Sequence, residues 1–75
     1  MVNGEIKLEI LRILEDRNYG LTIEEISSIL NINRSTASRY LAIMEAEGNV
    51  LVREVGKAKL HYPKNEMLEI LINGI

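Results

Sequence analysis

Apolar positions recur at helical spacing through the first two thirds of the chain and in near alternation after that. Ile6, Ile10, Ile13 and Leu14 repeat three and four apart, and Leu8 and Leu11 widen the same face. This predicts a helix over 5–16. Asn3 is placed to cap it, and Glu5 sits in its first turn, where the helix dipole favours an anion. Arg17-Asn18-Tyr19-Gly20 reads as the exit turn, with Gly20 able to take a positive φ. The segment Thr22-Ile23-Glu24-Glu25 has the form of a capping box, in which the Thr22 hydroxyl and the Glu25 carboxylate each reach the other's backbone amide. The helix it opens presents Ile23, Ile26, Ile29 and Leu30 on one side and stops near Leu30.

Asn31-Ile32-Asn33 reads as a turn followed by a new cap. Asn33 opens a third helix from Arg34 to about Glu47, with Ala37, Leu41 and Met44 as its inner stripe and Tyr40 beside them. Arg34, Ser35, Ser38, Arg39 and Ala42 fall on the opposite side, and Gly48 ends the helix as a left-handed residue. The period then drops from 3.6 to about 2. The runs 50–55 and 58–62 read as two strands joined at Gly56-Lys57, with Pro63 closing the hairpin. Asn65 can cap a last helix over about 66–72, which carries Met67, Leu68, Ile70, Leu71 and Ile72.

With 75 residues the chain is a single domain. Such a domain buries only roughly 60–65% of the surface its unfolded chain exposes, which rules out a two-domain enzyme with a deep cleft. The absence of cysteine removes disulfides and thiolate metal cages, and one histidine removes a multi-histidine metal site within the chain. No apolar run has the ~18 residues of a membrane span, and the N-terminus lacks a secretory signal, so the expected location is the cytoplasm. The net charge of −2 weighs mildly against a polyanionic partner. Its distribution points the other way, because residues 31–64 carry six basic and three acidic side chains while 1–30 carry three basic and six acidic. Concentrated positive charge of this kind fits a nucleic-acid face.

The order helix, helix, tight turn, helix, hairpin resembles the winged helix-turn-helix DNA-binding domains of bacterial and archaeal transcriptional regulators. The resemblance is carried by residues 21–41, from Leu21-Thr22-Ile23-Glu24-Glu25 to Ser38-Arg39-Tyr40-Leu41, then by Met44-Glu45 and Glu47-Gly48, with 50–62 as the wing. It covers about residues 6–62. The small archaeal regulators and the arsenic-repressor-like and multiple-antibiotic-resistance-like groups are similar to the chain, and the choice among them stays open. The expected fold is mainly α with a small β-hairpin wing, a three-helix core plus a C-terminal helix. The whole chain, 1–75, is expected as one domain, with core and wing over 5–62 and a C-terminal helix over 65–73 as a dimerisation element.

What the resemblance implies for function has a physical basis. The major groove of B-DNA is about 12 Å wide and admits one helix, entered by its N-terminal part while the preceding helix braces it. The entering helix must be apolar inside and compactly polar or cationic outside. The resemblance implies that Ser35, Thr36, Ser38 and Arg39 contact DNA and that Arg34 contacts a phosphate. It also implies that Lys57 and Lys59 at the wing tip, joined by Arg53, lie on the backbone or in the minor groove. Two positions depart from the family pattern: Asn31 stands where glycine is common, and Ile43 lies on the outer part of the third helix, where a polar residue is usual.

Blander readings apply to other residues. His61 reads as a partly exposed strand residue, Tyr40 as core or a single phosphate hydrogen bond rather than a base-stacking platform, and Ser27-Ser28 as helix surface, because the lone imidazole has no serine partner. The terminal helices carry more apolar surface than one small core can bury, which points to a homodimer through the first and last helices. The expected partner is double-stranded DNA, read sequence-specifically in transcriptional regulation, with no catalysis, cofactor, metal, membrane or evident small-molecule ligand. The alternative is a winged-helix module that binds protein instead, since fold alone does not settle use.

Overall fold

The computed structural model describes residues 4–64. Three helices, α1 (Gly4–Asp16), α2 (Ile23–Leu30) and α3 (Arg34–Ala46), are followed by an antiparallel hairpin of β1 (Val50–Val55) and β2 (Ala58–Pro63). The predicted last helix, with Asn65 and Leu71, and the Asn3 cap lie outside the described residues.

The local signals act as their chemistry dictates. Thr22 and Glu25 form the capping box: the Glu25 amide donates to Thr22 Oγ1 at 3.2 Å and the Thr22 amide donates to Glu25 Oε1 at 2.9 Å. The turn between α2 and α3 is a Schellman motif, with Ile32 N–H donating to the Ser27 carbonyl at 3.0 Å and Asn31 N–H to the Ser28 carbonyl at 3.3 Å. Asn31 sits at its left-handed position, φ 55°, which its short polar side chain tolerates in place of glycine. Asn33 Oδ1 then accepts from the Thr36 amide at 2.8 Å and opens α3. The same motif closes α3, around Gly48 at φ 82°. Gly56, at φ 61°, occupies the first central position of the two-residue hairpin turn, where a type II′ turn carries its glycine.

One core holds these elements together. Ile10 and Leu14 of α1, Leu21, Ile26 of α2, Ala37, Tyr40, Leu41 and Met44 of α3, and Val50 of β1 are buried in a single cluster. The inner stripe predicted for α3 is therefore the buried one. One expectation about an apolar face is corrected: Ile29 is 41% exposed although it shares the spacing of Ile26, whereas Leu8, 62% exposed, belongs to the apolar surface of α1 that the small core leaves uncovered. Helical spacing gives a face, but the width of the face that is covered depends on how closely neighbouring elements approach. Pro63 closes the hairpin as the last residue of β2, opposite Val50 and buried.

His61 is also corrected. It is 4% exposed, and its Nδ1 lies 2.9 Å from the Leu21 carbonyl. A carbonyl only accepts, so Nδ1 carries the proton in the neutral ring. The backbones of the two residues exchange hydrogen bonds as well, His61 N–H to the Leu21 carbonyl at 2.8 Å and Leu21 N–H to the His61 carbonyl at 3.1 Å. His61 thus fastens the wing to the segment between α1 and α2. Burial pushes its imidazole below the ordinary 6.5, and Lys59 adds to this, while the Leu21 hydrogen bond, Glu45 and Glu24 pull the other way.

This shift has a consequence for stability. The unfolded chain takes up a proton on His61 at pH 6.5, and the folded chain only at lower pH. His61 therefore contributes its full stabilisation above pH 6.5 and loses it as the pH falls toward the folded value. In urea unfolding across that window, His61→Gln is expected to lower stability above pH 6.5 but to flatten the acid-side decline. An unchanged pH slope in the variant would assign the decline to other groups.

Candidate nucleic-acid interface

The α3 face turned away from the core carries Arg34, Ser35, Ser38, Arg39 and Ala42, all exposed, while Thr36 is half-buried. The 13-residue helix is about 20 Å long. Its start is shaped by Asn33, whose Oδ1 accepts both the Thr36 amide and the Ser35 hydroxyl, each at 2.8 Å. Ser35 thus has its proton committed and lone pairs open, which makes it an acceptor first. The Arg39 guanidinium rests 5.9 Å from the centroid of the Tyr40 ring, a cation–π contact to a residue anchored in the core. Arg34 Nη2 lies 3.2 Å from Glu24 Oε1 on the preceding helix.

The hairpin folds back beside this face. A groove of about 600 Å³ runs between the start of α2, the start of α3 and the wing tip, lined among others by Thr22, Glu24, Arg34, Lys57 and Lys59. A smaller groove of about 260 Å³ continues beneath Ser38 and Ala42, with Lys59, Glu54, Glu45 and His61 on its walls. Lys59 borders both. The structure therefore brings Arg34, Ser38, Lys57 and Lys59 to one side of the molecule. It does not bring Arg53 there. Strand residues alternate between faces, and Arg53 pairs with Leu60, on the opposite face of the hairpin from the Glu54–Lys59 pair that borders the groove.

Three carboxylates on these walls, Glu24, Glu45 and Glu54, were not legible as part of the surface. Periodicity places Glu24 in the first turn of α2 and Glu45 on α3, but which groove they border depends on where the wing packs. Among the described residues no cluster of three or more potential metal-binding side chains is present, and no helix is long and apolar enough to cross a membrane.

Comparison with known proteins bears on this architecture. HlyU from Vibrio cholerae N16961 is 29% identical and superposes with a TM-score of 0.74 over 97% of this chain and 76% of HlyU. Its reduced form is 26% identical, with a TM-score of 0.72 over 91% and 70%. A structure concerned with the DNA recognition and protein interaction domains of HOP2 is 19% identical, with a TM-score of 0.70 over 79% of this chain and 98% of that one, which speaks for the fold alone. No curated protein matches the chain by sequence. Residues 4–50, helices and turn together, match the pattern of the bacterial regulatory protein, arsR family. That match spans most of the chain and takes in the three helices and the turns between them, while the wing that flanks α3 lies beyond it. The fold and family are those of regulators rather than of enzymes: the chain belongs to the arsR family and is a winged helix-turn-helix protein that binds DNA sequence-specifically to regulate transcription.

Proposed function

We propose that α3 enters the major groove by its N-terminal part, with Ser35, Ser38 and Arg39 toward base edges and Arg34 on a phosphate. Thr36, half-buried, contributes its hydroxyl at the margin. Lys57 and Lys59 pair with phosphates along the flanking backbone, and Arg53 reaches a further phosphate from the outer face of the wing. The observation that supports this reading is the division of α3: Ala37, Tyr40, Leu41 and Met44 are buried, while Arg34, Ser35, Ser38 and Arg39 are exposed, and Arg34 and Ser38 share grooves with the wing lysines. An arsR-family chain with a free polar helix face beside two cations has the shape and charge to grip a duplex.

Salt dependence tests it. Each phosphate neutralised on B-DNA releases counterions, worth about 0.9 in the log–log slope of affinity against salt. Lys57→Ala with Lys59→Ala is expected to flatten that slope by up to ~2 units. An unaltered slope would remove the wing from the contact surface.

We further propose that the chain is a single cytoplasmic domain that acts as a homodimer through its first and last helices. Leu8 supports this, since it lies exposed on α1, and so do Met67, Leu68, Ile70, Leu71 and Ile72, an apolar set dense for a segment of 11 residues. A symmetric dimer sets two recognition helices about one DNA turn, ~34 Å, apart. Selection from random duplexes should then return sites with two-fold symmetry, and asymmetric single half-sites would overturn the dimer.

A further inference from the structure

Glu24 and Arg34 stand ten positions apart on different helices, yet their charged atoms are 3.2 Å from each other. Both side chains are open to solvent, 61% and 71% exposed, so neither is held there by burial. The neighbouring acid cannot take the same role, because the Glu25 carboxylate is occupied with the Thr22 amide and hydroxyl at 2.9 and 3.2 Å. The pair also sits in the groove that Lys57 and Lys59 border, where any phosphate approaching Arg34 meets the Glu24 carboxylate as well.

We propose that Glu24 is a positioning residue for DNA affinity, acting through Arg34: it holds the guanidinium in the DNA-free protein, and a phosphate must displace it. This deepens the reading of the groove given above and rests on it. Two effects combine. Arg34 exchanges a carboxylate for a phosphate instead of gaining a first partner, so its net contribution is reduced. The displaced carboxylate then remains well within the ~8 Å over which charges are felt at physiological ionic strength. The result is weak binding wherever phosphates alone are engaged, which leaves discrimination to the base-facing residues of α3. The acidic overall charge of the chain acts in the same direction.

The test is a cycle of four proteins, the parent chain, Glu24→Gln, Arg34→Ala and the double variant, titrated at low salt with a fluorescent duplex of random sequence. Thermal melts monitor folding; the capping box does not involve the Glu24 side chain. An exposed ion pair is weak, so Glu24→Gln is expected to tighten binding about two- to fivefold while Arg34 is present. In the Arg34→Ala background the same change should tighten it distinctly less. Equal tightening in both backgrounds would overturn the proposal, since Glu24 would then act only by repelling DNA, and so would no tightening in the parent background. If none of the four proteins bound the duplex, the groove reading itself would fall, and this inference with it.

Discussion

Arg39→Ala is expected to lower affinity for the selected DNA site about 5- to 150-fold, the loss of one good base contact at ~1–3 kcal/mol. The loss should be much smaller on a random duplex. Arg39 is exposed on the outer face of α3, with its guanidinium over the Tyr40 ring. A bidentate grip on a base edge is sequence-dependent, whereas a phosphate contact weakens all duplexes alike. Folding should barely change, because an exposed cation–π contact contributes only about 0.5–1 kcal/mol and alanine favours a helix. Equal losses on both duplexes would move Arg39 to the phosphate backbone, and no loss on either would remove it from the interface.

Gly20→Ala is expected to cost about 2–4 kcal/mol of stability, which lowers Tm by roughly 10–25 °C in a domain of this size. Two causes add. The backbone at Gly20 has φ +98°, a conformation that L side chains rarely adopt. A Cβ there would also stand 2.8 Å from Tyr62 Cζ and 2.9 Å from its hydroxyl oxygen. The tyrosine could yield only by giving up a position where it is 7% exposed. The turn also leads directly into Leu21, whose hydrogen bonds to His61 fasten the wing. A shorter side chain at position 62 should recover the part due to collision but not the part due to φ. A thermal melt of Gly20→Ala within a degree or two of the parent would show that neither constraint is real.

The helices and their ends were legible because the signals that make them are local. A threonine three residues before a glutamate, or an asparagine three before Thr36, completes its hydrogen bonds within one turn of chain. The inner stripe of α3 was legible for a related reason: a 3.6 period states which residues share a side, and only the apolar side has a reason to turn inward. The hairpin followed from the change of period and from a glycine at the turn. On the candidate interface the same logic placed Arg34, Ser35, Ser38 and Arg39 outward, as they are.

Other features were not legible. His61 looks like any polar strand residue until Leu21, 40 positions earlier, is found beside it with a carbonyl to accept its Nδ1 proton. Ile29 has the spacing of a core residue, yet the packing of the described residues leaves it 41% exposed. Arg53 and Lys59 carry the same charge six residues apart, but the hairpin register puts them on opposite faces.

The order of residues alone thus settled where α2 and α3 begin and end and which side of α3 is apolar, because hydrogen bonds and periodicity over a few residues need no partner from afar. Packing settled the rest. Only the return of the hairpin onto α2 and α3 decided that Arg34, Lys57 and Lys59 share one groove, that Glu24 borders it against Arg34, and that a buried imidazole ties the wing down. Each of these depends on a distance in space between residues far apart along the chain, and no local pattern encodes such a distance.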